Sequence, residues 1–125
     1  MGRNELPAAV RHLIERHLDS AADVDTLLLL CGTDAPWTGP AVARELRIDG
    51  QQAAAILARL SRAGLLREQA ESYRYGPRSQ KLAEAVASLA QLYPTYRVAI
   101  VSEIYARPSG PIRDFSEAFR LRSED

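Results

Sequence analysis

The chain has 125 residues, with 46% hydrophobic and 26% charged side chains, a composition that suits one soluble domain with a real core. Sixteen basic residues balance sixteen acidic ones. A formal net charge of zero excludes a polybasic protein that holds nucleic acid by bulk charge, and equally an acidic disordered tail. The single cysteine, Cys31, excludes an internal disulfide and a cysteine-rich zinc site.

The neutral total hides an uneven distribution. Residues 1–40 carry a net −3, residues 41–81 a net +4 and residues 82–125 a net −1. The middle third is thus a basic island between acidic flanks.

Helical spacing of Leu6, Val10, Leu13, Ile14 and Leu18 predicts a first helix, with Pro7 in its first turn. A second is expected from about Ala21 to Cys31, capped by Ser20 or Asp19 and ended by Gly32. Its run Leu27–Cys31 is apolar on nearly every face, which places it at the centre of the core and makes Cys31 a small buried hydrophobe. Residues 34–37 read as a loop or a very short strand. Thr38 then caps a third helix, with Pro40 in its first turn and Val42, Ala43 and Leu46 inward. Asp49 caps a fourth, from Gly50 to about Ala63, whose apolar stripe is Ala53, Ile56, Leu57 and Leu60; Gly64 ends it. Two capped helices about three residues apart make a helix-turn-helix pattern.

Beyond Gly64 the period changes to that of two short strands, Leu65–Gln69 and Tyr73–Tyr75, around a tight turn. Ser79 caps the next helix, with Leu82, Ala83, Val86, Leu89, Ala90 and Tyr93 on one face, and Pro94 ends or kinks it. Tyr96–Tyr105 reads as helical, although Val98, Ile100, Val101 and Ile104 would also suit a strand. After the breaker Pro108-Ser109-Gly110-Pro111, Ile112, Phe115, Ala118 and Phe119 form an amphipathic stripe that must dock somewhere.

The order helix, capped helix, turn, helix, two-stranded wing, long helix resembles the winged helix-turn-helix superfamily. Residues 38–66 look like the MarR- and ArsR-type regulators. Thr38 opens the second helix of the motif, Leu46-Arg47-Ile48-Asp49 matches its turn, and Leu60, Gly64 and Leu65 match the end of a recognition helix. The resemblance implies a mainly α fold, divided into an N-terminal helix (1–19), the winged helix-turn-helix (20–78), a C-terminal helical arm (79–107) and a terminal amphipathic segment (108–125).

It also implies a DNA-binding transcriptional regulator, cytoplasmic and homodimeric, which reads duplex DNA with helix 50–63 and the 65–75 wing. The outer face of that helix offers Gln51, Gln52, Ala55, Arg59 and Arg62 to the major groove, with the two glutamines where such proteins read bases. Thr38 and the amides of its helix would hold a phosphate, and Arg67 and Arg74 would serve the wing. Leu89, Tyr93, Tyr96, Ile104, Ile112, Phe115 and Phe119 are the expected dimer or partner surface. The alternative function is a winged-helix adaptor that docks a protein partner through the C-terminal segment and binds no DNA.

Catalysis, cofactors and metals are not expected. His12 and His17 lie five apart, off the i, i+4 spacing of a helical metal pair, and no Gly-rich phosphate loop, Gly-x-Ser-x-Gly or Cys-x-x-Cys occurs. The N-terminus reads as free of a signal peptide, and no apolar run approaches the roughly 20 residues that span a bilayer.

Overall fold

The computed structural model describes residues 6–106. They form α1 (Ala8–His17), α2 (Ala21–Cys31), β1 (Trp37–Thr38), α3 (Gly39–Leu46), α4 (Gly50–Arg62), β2 (Leu66–Gln69), β3 (Ser72–Tyr75) and α5 (Gln80–Ala106). The architecture is mainly helical, with a small antiparallel sheet of order β1-β3-β2. No helix among these residues is long and apolar enough to cross a membrane.

α1 starts after Pro7 without a side-chain cap, whereas each later helix begins where a side chain accepts its free amides. Ser20 Oγ accepts from the Asp23 amide, and Ser20 Oγ donates back to Asp23 Oδ1 at 3.0 Å. Asp23 Oδ2 also takes the Asp19 amide at 2.8 Å, so one carboxylate closes the start of α2 in a capping box. Thr38 Oγ1 caps α3 through the Ala41 amide, and Asp49 Oδ2 caps α4 through the amides of Gln51 and Gln52.

The helices α3 and α4 end in comparable turns. At the end of α4, Leu65 N donates to the Leu60 carbonyl and Gly64 N to the Ser61 carbonyl, with Gly64 at φ +86. This is a Schellman ending, and glycine removes its steric cost. At the end of α3, Ile48 N reaches back to the Ala43 carbonyl over Arg47, which sits at φ 59 and ψ 48. There a side chain occupies a left-handed position that favours glycine.

The core is one cluster to which all five helices contribute. Val10, Leu13 and Ile14 of α1 lie against α5, while Val24, Leu27 and Leu30 of α2 meet Ile56, Leu57 and Leu60 of α4. Val42 comes from α3, and Leu65 and Leu66 close the cluster under the hairpin. Such continuous burial ties the N-terminal and C-terminal helices to the middle of the chain, so the segments expected at 1–19 and 79–107 share the core of the rest.

The structure decides two alternatives that the sequence left open and moves one boundary. The stretch before Thr38 does form a strand: Trp37 pairs with Tyr73 and Thr38 with Ser72, so the sheet has three strands instead of two. Ser72 belongs to β3, which leaves a two-residue loop, Ala70-Glu71, with Ala70 at φ 57. Tyr96–Tyr105 is helical and continues α5 across a kink. Pro94 lies inside the helix and Tyr96 takes φ −112, ψ 32, because proline removes one backbone donor and crowds the preceding turn. The amphipathic stripe at Ile112, Phe115 and Phe119 lies outside the described residues.

Candidate nucleic-acid interface

The side chains of α4 divide cleanly. Ala53, Ile56, Leu57 and Leu60 are buried, whereas Gln51, Gln52, Ala54, Ala55 and Arg62 are exposed. The cap at Asp49 fixes this face, because it sets the phase of the helix from its first turn. Gln51 and Gln52 therefore stand at the exposed N-terminal end of α4, and Arg62 one face-length away at the other.

Arg59 is not part of that free face. Its Nη2 donates to Asp23 Oδ1 at 2.7 Å and Oδ2 at 2.6 Å, and its Nε lies 3.8 Å from Asp19 Oδ2. Asp23 is fully buried and the Arg59 side chain is 36% exposed. The expected base reader is thus a strut between α4 and α2. The sequence carries the signal for this only in hindsight: Asp23 occupies the fourth position of a capping box, and nothing local names its distant cation.

Thr38 is likewise occupied, since its hydroxyl accepts the Ala41 amide at 3.3 Å. It remains exposed beside the start of α3. In the hairpin, Arg67 stands directly opposite Arg74 in the β2–β3 register, so both guanidinium groups leave the same face. Gly76 passes against the Arg67 side chain, where an added Cβ would meet Nε at 2.7 Å. Arg74 Nη1 makes an exposed ion pair with Asp34 at 3.2 Å, an arrangement worth little in water and readily exchanged for a phosphate. Glu68, also in β2, faces Tyr73 across the hairpin. Burial first, and then the Glu68 carboxylate, pushes the Tyr73 phenol above its ordinary value.

The expected docking residues also separate. Leu89, Tyr93 and Ile104 are buried in the chain's own core and are not available to a partner. Tyr93 Oη donates to Asp25 Oδ1 at 3.1 Å, Arg97 lies over the Tyr93 ring at 5.1 Å, and Arg97 Nη1 reaches Asp25 at 3.9 Å. These contacts clamp the kinked part of α5 onto α2. Tyr96 stays 43% exposed, and Val98 (79%) and Tyr105 (58%) join it there. Ile112, Phe115 and Phe119 lie outside the described residues.

Cys31 is half-buried beside Tyr75. Burial raises the Cys31 thiol, opposed by its hydrogen bond with Tyr75, while burial and the sulfur push Tyr75 up to about 12. The pair is a structural contact between α2 and β3.

The chain matches no protein-family model, no curated protein and no solved structure, so its function has to be argued from its own residues.

Proposed function

We propose that the protein is a winged helix-turn-helix DNA-binding regulator, with α3 and α4 as the helix-turn-helix, the β2–β3 hairpin as the wing and α4 as the recognition helix. One observation carries the reading: the exposed face of α4 presents Gln51, Gln52, Ala55 and Arg62 and no acidic side chain, with Arg67 and Arg74 paired on the adjoining hairpin. The glutamines suit adenine N6 and N7, and Arg62 suits guanine or a phosphate. Ala55 leaves room for a thymine methyl. Arg67 and Arg74 hold the flanking backbone. Arg59 sets the helix instead of reading the base.

The reading includes a homodimer. A single module with a few phosphate contacts binds weakly, and two modules double the contacts. The exposed Tyr96, Val98 and Tyr105 on the outer half of α5 offer apolar area for a twin. Fluorescence anisotropy with a labelled duplex library at low salt tests the reading. Binding that weakens at least about tenfold in Gln52→Ala/Arg62→Ala, with an unchanged circular dichroism spectrum, supports it. Equal binding by that variant sinks the assignment of α4.

A further inference from the structure

A second cluster of cationic groups lies away from α4. Between α1 and the start of α5 is a cleft of about 480 Å³, a volume within the range of small-molecule sites. Its walls carry His12, Arg16 and His17 from α1 and Arg78 and Lys81 from the chain entering α5. Among the described residues, no acidic one lines it. In a protein of zero net charge, three permanent cations and two histidines around one cleft are a strong local imbalance.

Three acids lie near the cleft without lining it. Glu84, one turn beyond Lys81, accepts from Gln80 at 3.2 Å; Asp19, between α1 and α2, lies beside Arg59; and Glu15 stands exposed on α1 next to Arg16. Among the described residues, Arg16, Arg78 and Lys81 enter no ion pair; the Arg16 Nε hydrogen bond goes to His12 Nε2. The floor is apolar, built by Leu13 and Leu82 with small alanines around them. The positive end of α5, capped by Ser79, opens on the same space and adds to the field.

We propose that this cleft binds a small phosphate monoester with an apolar body. Three cations without a counter-charge match a dianion better than a monocarboxylate, and arginine forks suit phosphate oxygens bidentately. The floor of Leu13 and Leu82 gives an organic body a place that water fills poorly. The mutual repulsion of the cations is visible in His17, whose pKa is held below its ordinary value by burial and then by Arg16, Arg78 and His12. An anion would relieve that repulsion.

Arg78 gives the site a route to α4. Its side chain crosses Gly64, where an added Cβ would meet its Cδ at 2.6 Å, and its amide donates to the Gly64 carbonyl at 2.8 Å. An arginine drawn toward a phosphate would shift over the turn that ends α4. Binding itself stands independently of any role in DNA recognition.

The test uses phenyl phosphate as probe, with phenol and inorganic phosphate beside it, in isothermal titration calorimetry and in amide chemical-shift mapping. Phenyl phosphate is expected to bind with a dissociation constant below about 1 mM, more tightly than inorganic phosphate, with phenol inert. The shifts are expected at residues of α1 and the start of α5. Arg16→Ala/Arg78→Ala, both exposed positions, is expected to weaken binding at least about tenfold, and Arg16→Lys/Arg78→Lys to keep part of it. Shifts confined to α4 and the wing, equal affinity in the alanine variant, binding of phenol as tight as that of phenyl phosphate, or no binding at about 1 mM would each overturn the proposal.

Discussion

Arg59 on α4 and Asp23 on α2 are joined through one nitrogen, Nη2, that reaches both carboxylate oxygens at 2.7 and 2.6 Å. The same carboxylate accepts the Asp19 amide and the Ser20 hydroxyl, so it organises the start of α2 and the seating of α4 together. Arg59→Ala would leave a fully buried carboxylate with neutral donors alone, at a cost of about 3 kcal/mol. The loss would appear as a lowered urea midpoint with an unchanged m-value. If Arg59→Ala instead left stability intact and changed base preference, the side chain would be a reader and the strut an incidental contact.

The turn between α3 and α4 stores strain that the turn after α4 avoids. Arg47 occupies a left-handed position at φ 59 where Gly64 occupies the corresponding one at φ +86. Arg47→Gly is expected to stabilise the protein by about 1 kcal/mol, since it removes the Cβ conflict and costs some unfolded-state entropy. Gly64→Ala is expected to destabilise by at least about 1 kcal/mol, from the backbone and from displacement of Arg78. Thermal melts of the two variants should move in opposite directions.

The capped starts, the α4 stripe and the Gly64 stop were all legible in the sequence, because each is local chemistry within four residues. The kink at Pro94 was legible for the same reason. What sequence could not show is non-local. β1 has two residues and exists only because β3 offers an edge to Trp37 and Thr38. Arg59 looked like a reader because its position on α4 faces outward at the level of the helix, and Asp23, 36 residues away, takes it. Leu89 and Ile104 carried an apolar stripe that periodicity cannot assign to one's own core or to a partner. Here the core has them. The cationic cleft was invisible because its residues come from two stretches far apart in the chain, α1 and the start of α5, that only the fold brings together.

Acid should weaken the fold before the carboxylates titrate. His17 has a folded pKa below its unfolded value of about 6.5, so the unfolded chain takes up the proton first. The stability contribution is complete above that pH and declines as pH falls from about 6.5 toward the depressed folded value. The groups responsible are Arg16 and His12 on the same helix and Arg78 from the start of α5, after burial itself. Urea midpoints at pH 7.5 and 5.5 check this, with about neutral and mildly acidic arms bracketing the histidine range. Wild type is expected to lose stability between them, and His17→Gln to lose less. An equal loss in both would remove His17 as the cause.

The outer half of α5 gives a prediction for assembly. Val98 is 79% exposed between Tyr96 and Tyr105, which are themselves exposed. Val98→Asp would place an unpaired charge in a twin interface there and is expected to convert a dimer to a monomer in light scattering, with the melting curve of the protomer little changed. A wild-type monomer at high concentration would contradict the dimer.

The central claim is that α4 and the hairpin together face a DNA backbone. It is tested most directly by the salt dependence of duplex affinity for wild type and for Arg67→Ala/Arg74→Ala. The wild type is predicted to lose affinity linearly in log salt, with a slope that becomes shallower by about 2 per protomer in the variant, because two phosphate contacts are lost. A wild type that binds no duplex at low salt, or a variant whose slope is unchanged, would contradict it.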